Sequence, residues 1–175
     1  NMGPPSDHTT GNGFYITVPP TDFFRFASIR SPIIGPAGIE CQLRFWYYMN
    51  YDASVDSSRI SVYIRNEDDD FNSFLFIESI DDSSGPQWKP AIVNIGRHTQ
   101  RFAIEIDGTP DENNAIGIDD IDFYNCQAVS PPELGSSIDC TFEQGFCNFF
   151  QDDSADFEWE RASTATSSSG TGPGF

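Results

Sequence analysis

The chain has 175 residues and a formal net charge of −18 at neutral pH, from 27 acidic and 9 basic side chains. This charge argues against nucleic acid and anionic membrane surfaces as partners, and 16 Phe in alternating runs argue against a disordered acidic chain. No apolar run is long enough to span a bilayer and no signal peptide is present, so direct membrane insertion is not expected and any export address lies outside the segment.

Taken in chain order, eight β-rich runs follow one another. They are "GFYITV" (13–18), "FFRFASIRSPII" (23–34), "CQLRFWYYMN" (41–50), "RISVYIRN" (59–66), "SFLFIES" (73–79), "WKPAIVNI" (88–95), "RFAIEID" (101–107) and "AIGIDDIDFYNC" (115–126). In "RFAIEID" Phe102, Ile104 and Ile106 share one face, and Arg101, Ala103, Glu105 and Asp107 share the other. That is the period of a half-buried strand. The breaks "NEDDDFN", "DDSSGPQ" and "DGTPDENN" hold the Asp, Asn, Gly and Pro that turns require. Nothing sustains a helical period. Short strands at this spacing predict an all-β antiparallel sandwich or barrel.

Four cysteines, Cys41, Cys126, Cys140 and Cys147, contain no Cys-x-x-Cys pair. They read as two disulfides formed in an oxidising compartment, with three pairings open. After Cys126 the periodicity stops. Residues 127–139, "QAVSPPELGSSID", read as a linker. Residues 140–175 are too few for an independent core.

The segment "CTFEQGFCNFFQDDSADFEWER" resembles the opening of a MAM domain, a module of meprins, neuropilins and mu-class receptor tyrosine phosphatases. The matching positions are Cys140, Phe142, Glu143, Cys147, Asp156, Phe157 and Trp159. Gly3, Pro4, Asp7, His8, Thr9, Gly11, Gly13 and Tyr15 resemble the family's next segment. "IRSPII", "CQLRFWYYMN" and "AIGIDDIDFYNC" resemble later ones. The resemblance implies a jelly-roll β-sandwich, with Cys41 bonded to Cys126 and Cys140 to Cys147. It also shows a rotated order. Residues 1–126 look like a MAM domain lacking its first strands, and residues 140–175 like the opening strands of the next one. The turns Gly3-Pro4 and Gly172-Pro173 lie 169 residues apart, which suits one repeat of a tandem array. The segment 140–175 then either folds back on its own module or completes another copy. The stiff Pro131-Pro132 step favours donation, with Phe142, Phe157 and Trp159 as the inter-repeat packing residues.

No Gly-x-Ser-x-Gly elbow or His-Glu-x-x-His helix is present, and no catalytic residue is assigned. His8 reads as a turn residue, His98 as a loop residue, and Trp46, Trp88 and Trp159 as core. Glu67–Asp70 and Asp81–Asp82 read as solvated loop tips. Asp119 and Asp120, being adjacent, point to opposite faces, whereas Asp120 and Asp122 share one. Buried carboxylates need partners. The resemblance implies calcium as the cofactor, held by Asp7, Asp120, Glu143 and Asp153. The competing reading is that Asp7 caps its turn and Asp120 accepts backbone N–H groups. The function implied is non-catalytic extracellular adhesion or assembly, in a secreted protein or a cell-surface ectodomain. The partners would be other copies of the repeat, neighbouring MAM domains or extracellular proteins. The alternatives are an accessory domain of an extracellular protease or receptor, or a glycan- or ligand-binding module.

Overall fold

The structure, a computed structural model, describes residues 3–21, 25–50, 58–67, 74–126 and 139–164. Most of the linker, the acidic residues 68–70 and the Gly172-Pro173 turn lie outside the described residues.

Among the described residues ten strands form: β1 (Tyr15–Val18), β2 (Ala27–Arg30), β3 (Gln42–Met49), β4 (Arg59–Asn66), β5 (Phe74–Ile80), β6 (Lys89–Asn94), β7 (Phe102–Thr109), β8 (Ile116–Tyr124), β9 (Phe150–Gln151) and β10 (Glu160–Ala162). The eight predicted runs each supply one of the first eight. They make two five-stranded sheets, in the orders β10-β1-β8-β3-β6 and β5-β4-β7-β2-β9. Every strand pairing in both sheets is antiparallel. The sheets meet on their apolar faces. Leu43, Phe45 and Met49 of β3 and Ile16 and Val18 of β1 enter the core from the first sheet. Ile60, Val62 and Ile64 of β4 and Phe102, Ile104 and Ile106 of β7 enter from the second. The all-β sandwich expected from the alternation is therefore the observed architecture.

One strand breaks its own alternation. In β8, Arg44 pairs with Asp122 but Trp46 pairs with Asp119, so Asp120 and Ile121 together face Phe45. This is a β-bulge. Asp120 takes φ +50°, the left-handed region, which Asp tolerates better than most residues. The extra residue reverses the phase of the strand. Ile116 and Ile118 point inward before it, and Ile121 and Phe123 point inward after it. Strict alternation would have put Asp120 and Asp122 in the core in their place. The expectation that Asp120 and Asp122 share one face across an unbroken strand is thus corrected: the bulge lies between them.

Residues 139–164 close both sheets. β10 pairs with β1 on the edge of the first sheet, and β9 pairs with β2 on the edge of the second. Ile121 and Cys140 exchange backbone hydrogen bonds, each 2.8 Å. Trp159 is 2% exposed and Phe142 fully buried within the common core, while Phe157 is half-buried against it. Trp159 lies so close over Gly108 that a Cβ there would come within 2.6 Å of the indole ring. The sequence expectation favoured donation to another copy. In this chain all three residues instead pack on the module that precedes them.

Both disulfides form with the pairing implied by the resemblance, Cys41–Cys126 and Cys140–Cys147. Cys41 and Cys126 flank the neighbouring strands β3 and β8, where Gln42 pairs with Tyr124. The bridge therefore staples two strands of one sheet rather than joining two sheets. Closing a loop of 85 residues, it constrains the unfolded chain by ~4–5 kcal/mol in the entropic description.

If residues 140–164 belong to the core as strongly as their burial implies, Trp159→Ala costs about 3–5 kcal/mol of unfolding free energy. The half-buried Phe157→Ala costs less. Chemical denaturation of the monomeric protein measures both, and a Trp159→Ala effect no larger than a surface substitution contradicts this closure.

Candidate functional site

The stretch 3–13 lies across the outer face of the first sheet, over β1, β8 and β3. The Gly-Pro and Asp-His-Thr-x-Gly turns fold it tightly. Asp7, 2% exposed, accepts the backbone N–H groups of Thr10 and Gly13, each at 2.6 Å, and the Thr10 hydroxyl at 3.1 Å. Burial works against its ionisation, but these bonds outweigh it and hold the carboxyl below its usual range. Pro4 sits on Gly117, where a Cβ would come within 2.5 Å of the proline ring. The Tyr15 hydroxyl lies 2.9 Å from the carbonyl oxygen of Pro4 and 2.8 Å from that of Thr164, sharing its one hydrogen between them.

His8 stacks on Trp46, with ring centroids 3.7 Å apart, and meets Trp88 edge-on. Its Nδ1 donates to Asp120 Oδ2 at 2.7 Å. Thr9 Oγ1 donates to Asp120 Oδ1 at 2.7 Å. The fully buried Asp119 accepts the His8 N–H on Oδ2 and the Asp120 N–H on Oδ1. Burial pushes the Asp119 carboxyl up to about 7; the His8 N–H opposes the shift and the Asp120 charge adds to it. The bulge makes this possible, because it presents two successive carboxylates to one turn. The nearby hydroxyl, Thr9, donates to Asp120 and not to His8, and the His8 ring is covered by Trp46. The group is thus a clamp of hydrogen bonds and stacked rings rather than a proton relay to a nucleophile.

Of the four residues assigned to calcium, the structure brings some together and spreads the rest. Asp7 is occupied by its own turn. Asp120 is bonded to His8 and Thr9. Glu143 Oε1 accepts the Phe14 N–H at 3.0 Å. Asp153 is exposed on the turn after β9. Among the described residues no group of three or more His, Cys, Asp or Glu side chains is placed to hold a metal ion. The residues as arranged do not fit a calcium site, because oxygens of Asp7, Asp120 and Glu143 already serve N–H and O–H donors and Asp153 lies exposed on the turn after β9. The tryptophan expectation also needs correction. Trp159 is core, but Trp46 and Trp88 are only half-buried, on the outer face under the turn. Periodicity signals a strand but does not say which face a covering loop will hide.

The outer face of the second sheet holds a second polar assembly. Glu105, 3% exposed, bridges Arg30 at 2.9 Å and Arg65 at 2.6 Å, and Arg30 also pairs with Asp152. Burial disfavours the charged Asp152, yet hydrogen bonds from Ser154 and the charges of Arg30 and Arg65 bring it below its usual range. Sequence reasoning put Glu105 and Asp107 on one face. It did not find their partners, because Arg30, Arg65 and Asp152 come from three distant segments. It also missed Asp119 as the centre of the clamp, for which the Asp119-Asp120 doublet was the available signal.

Two outcomes follow. Asp7→Asn lowers thermal stability by about 1–3 kcal/mol through lost charge-assisted bonds, and by the same amount in chelator as in calcium; dependence of the loss on calcium, read by calorimetry, restores the metal reading. For Asp119, the folded-state value lies above the unfolded one. Its favourable contribution is therefore complete below the unfolded value of 3.8 and is lost as pH rises through about 7. The Asp119→Asn variant shows a shallower fall in Tm across that interval, and an unchanged slope contradicts the assignment.

Comparison with known proteins bears on this architecture. Residues 1–127 match the family model "MAM domain, meprin/A5/mu". Neuropilin-1 of Xenopus laevis is 29% identical over 142 residues, which cover 77% of this chain but only 15% of that protein. Among solved structures, TmCBM61 in complex with beta-1,4-galactotriose has a TM-score of 0.39 at 18% identity, covering 58% of this chain and 65% of that one. The match to the family model spans both sheets from the Asp-His-Thr clamp to the closing strand β8, and the chain belongs to the MAM domain family.

Proposed function

We propose that this chain is a non-catalytic extracellular module for adhesion and assembly, making contacts with further MAM copies and with other extracellular proteins. Family membership, two disulfides and similarity to a far longer neuropilin support the extracellular setting. Among the described residues no helix is long and apolar enough to cross a membrane.

The observation that carries the reading is strand β5. Among the described residues it is an edge strand of the second sheet. Phe74, Leu75 and Phe76 are 61%, 52% and 52% exposed in succession along it. Phe74 and Phe76 lie edge-on to Tyr63 of β4, so the strip is ordered by its neighbours. Leu75 pairs with the core residue Ile64 yet hangs off the rim. An apolar edge with unpaired backbone groups is a template for another chain. Charge decides when it acts. Copies carrying −18 each repel at low ionic strength, and salt screens that repulsion while leaving apolar contact intact.

Sedimentation of the purified chain tests the reading. Self-association is expected to tighten as salt rises, and Leu75→Lys should abolish it without lowering Tm. A chain that stays monomeric at high salt and at its highest soluble concentration rules out assembly through copies of itself.

A further inference from the structure

Beyond the β5 edge, the outer face of the second sheet holds a pocket of about 330 Å³ beside the Arg30–Glu105–Arg65 network. Its floor includes Ser28 of β2 and Asp107 of β7, which face each other in register. Ser28 is 1% exposed, and its Oγ finds no hydrogen-bond partner. Asp107 Oδ1 is buried and likewise without a partner. Buried polar atoms are ordinarily satisfied, so unmet hydrogen-bonding capacity in two adjacent residues that line a cavity points to something that enters it. Burial pushes the Asp107 carboxyl up to about 6, and the Glu105 charge adds to the shift.

The remaining walls narrow the chemistry. Arg59 and Arg65 line the cavity beside Glu105, Asp107 and Asp152, and Arg30 ties two of those carboxylates together from the side. Three guanidinium groups thus balance three carboxylates. A net anion meets the carboxylates, and a net cation meets the arginines, so neither gains from the site as a whole. Aromatic walls come from Phe26, Tyr63 and Phe74. A ligand suited to this surface is uncharged, both donates and accepts hydrogen bonds at closely spaced positions, and has an apolar face for an aromatic ring. A pyranose ring has all three properties: adjacent hydroxyls, each donor and acceptor, and a face of C–H groups.

We propose that this pocket binds a neutral saccharide, with one ring hydroxyl donating to the half-buried Asp107 carboxyl and the ring lying against the aromatic wall. The volume falls at the lower end of the range for small-ligand sites, enough for one or two sugar rings. This does not rest on self-association through β5, and the residues tested differ.

Saturation-transfer NMR with the methyl glycosides of galactose, glucose, mannose and N-acetylglucosamine tests it, with Nα-acetyl-lysine amide and inorganic phosphate as charged probes. At least one glycoside is expected to receive saturation on its ring protons. Titration should show its affinity little changed by salt and weakened about tenfold or more in Asp107→Asn, as the loss of a charge-assisted bond requires. Because Asp107 Oδ1 and Ser28 Oγ are buried without a hydrogen bond in the fold, Asp107→Asn and Ser28→Ala should keep or raise Tm, which separates lost binding from lost folding. Leu75→Lys should leave glycoside binding intact. The proposal is overturned if none of the four glycosides binds, if binding survives both pocket substitutions, or if only the lysine or phosphate probe binds in an Asp107-dependent way.

Discussion

A single extra residue in β8 sets the geometry of the first sheet. β8 is its central strand, flanked by β1 and β3, so its phase governs both neighbours. With Asp120 in the left-handed region and Ile121 beside it opposite Phe45, the strand keeps an apolar inward face along its whole length while carrying four carboxyl or aromatic groups elsewhere. The cost is local, because Asp tolerates such a conformation and the bulge adds twist where the strand passes under the N-terminal turn. What the bulge releases is used at once. Asp119 and Asp120 receive the backbone of His8 and the side chains of His8 and Thr9. The turn so anchored covers Tyr15, Gly117 and part of Trp46 and Trp88.

The second dependence runs through residues 139–164. They contribute little regular structure, two strands of two and three residues, but they occupy an edge of each sheet and place Phe142 and Trp159 in the core between them. Their Trp159 Nε1 has no acceptor, so that side chain contributes packing alone. Polar ties add specificity at the margin. Arg161 donates to the carbonyl oxygens of Phe142 and Glu143 and lies over the Phe14 ring at 3.4 Å. Glu143 in turn receives the Phe14 N–H. The start of the fold and its last segment are thus joined through one arginine and one glutamate, which links the clamp to the closure of the sandwich.

The two outer faces then differ in kind. On the first sheet the polar groups of the clamp satisfy one another. On the second sheet the Arg30–Glu105–Arg65 network is satisfied, while Ser28 and Asp107 beside it are not. A low-dielectric site with unmet hydrogen-bonding capacity is costly to keep. The contrast between the two faces, rather than either alone, locates the place where a ligand would change the energy most.

The sequence by itself determined the strand-rich class, the eight strands described before the linker, and the inward residues of β7, because period-two alternation reports a half-buried strand from local information alone. It also determined that four cysteines would pair, and its family resemblance carried their connectivity. Only the tertiary structure decided what depends on distant segments meeting. It placed Trp46 and Trp88 under a loop instead of in the core, and it broke the expected alternation of β8 at Asp120. It brought Phe142, Phe157 and Trp159 onto their own module, although the Pro131-Pro132 step suggested departure. It also engaged the carboxylates of Asp7, Asp120 and Glu143 with hydrogen-bond donors. The physical reason is common to all four. Alternation along one strand is a nearest-neighbour property, whereas the phase shift at a bulge, the choice of covering loop and the partner of a buried charge are set by which side chains the closed sandwich brings within a few ångströms.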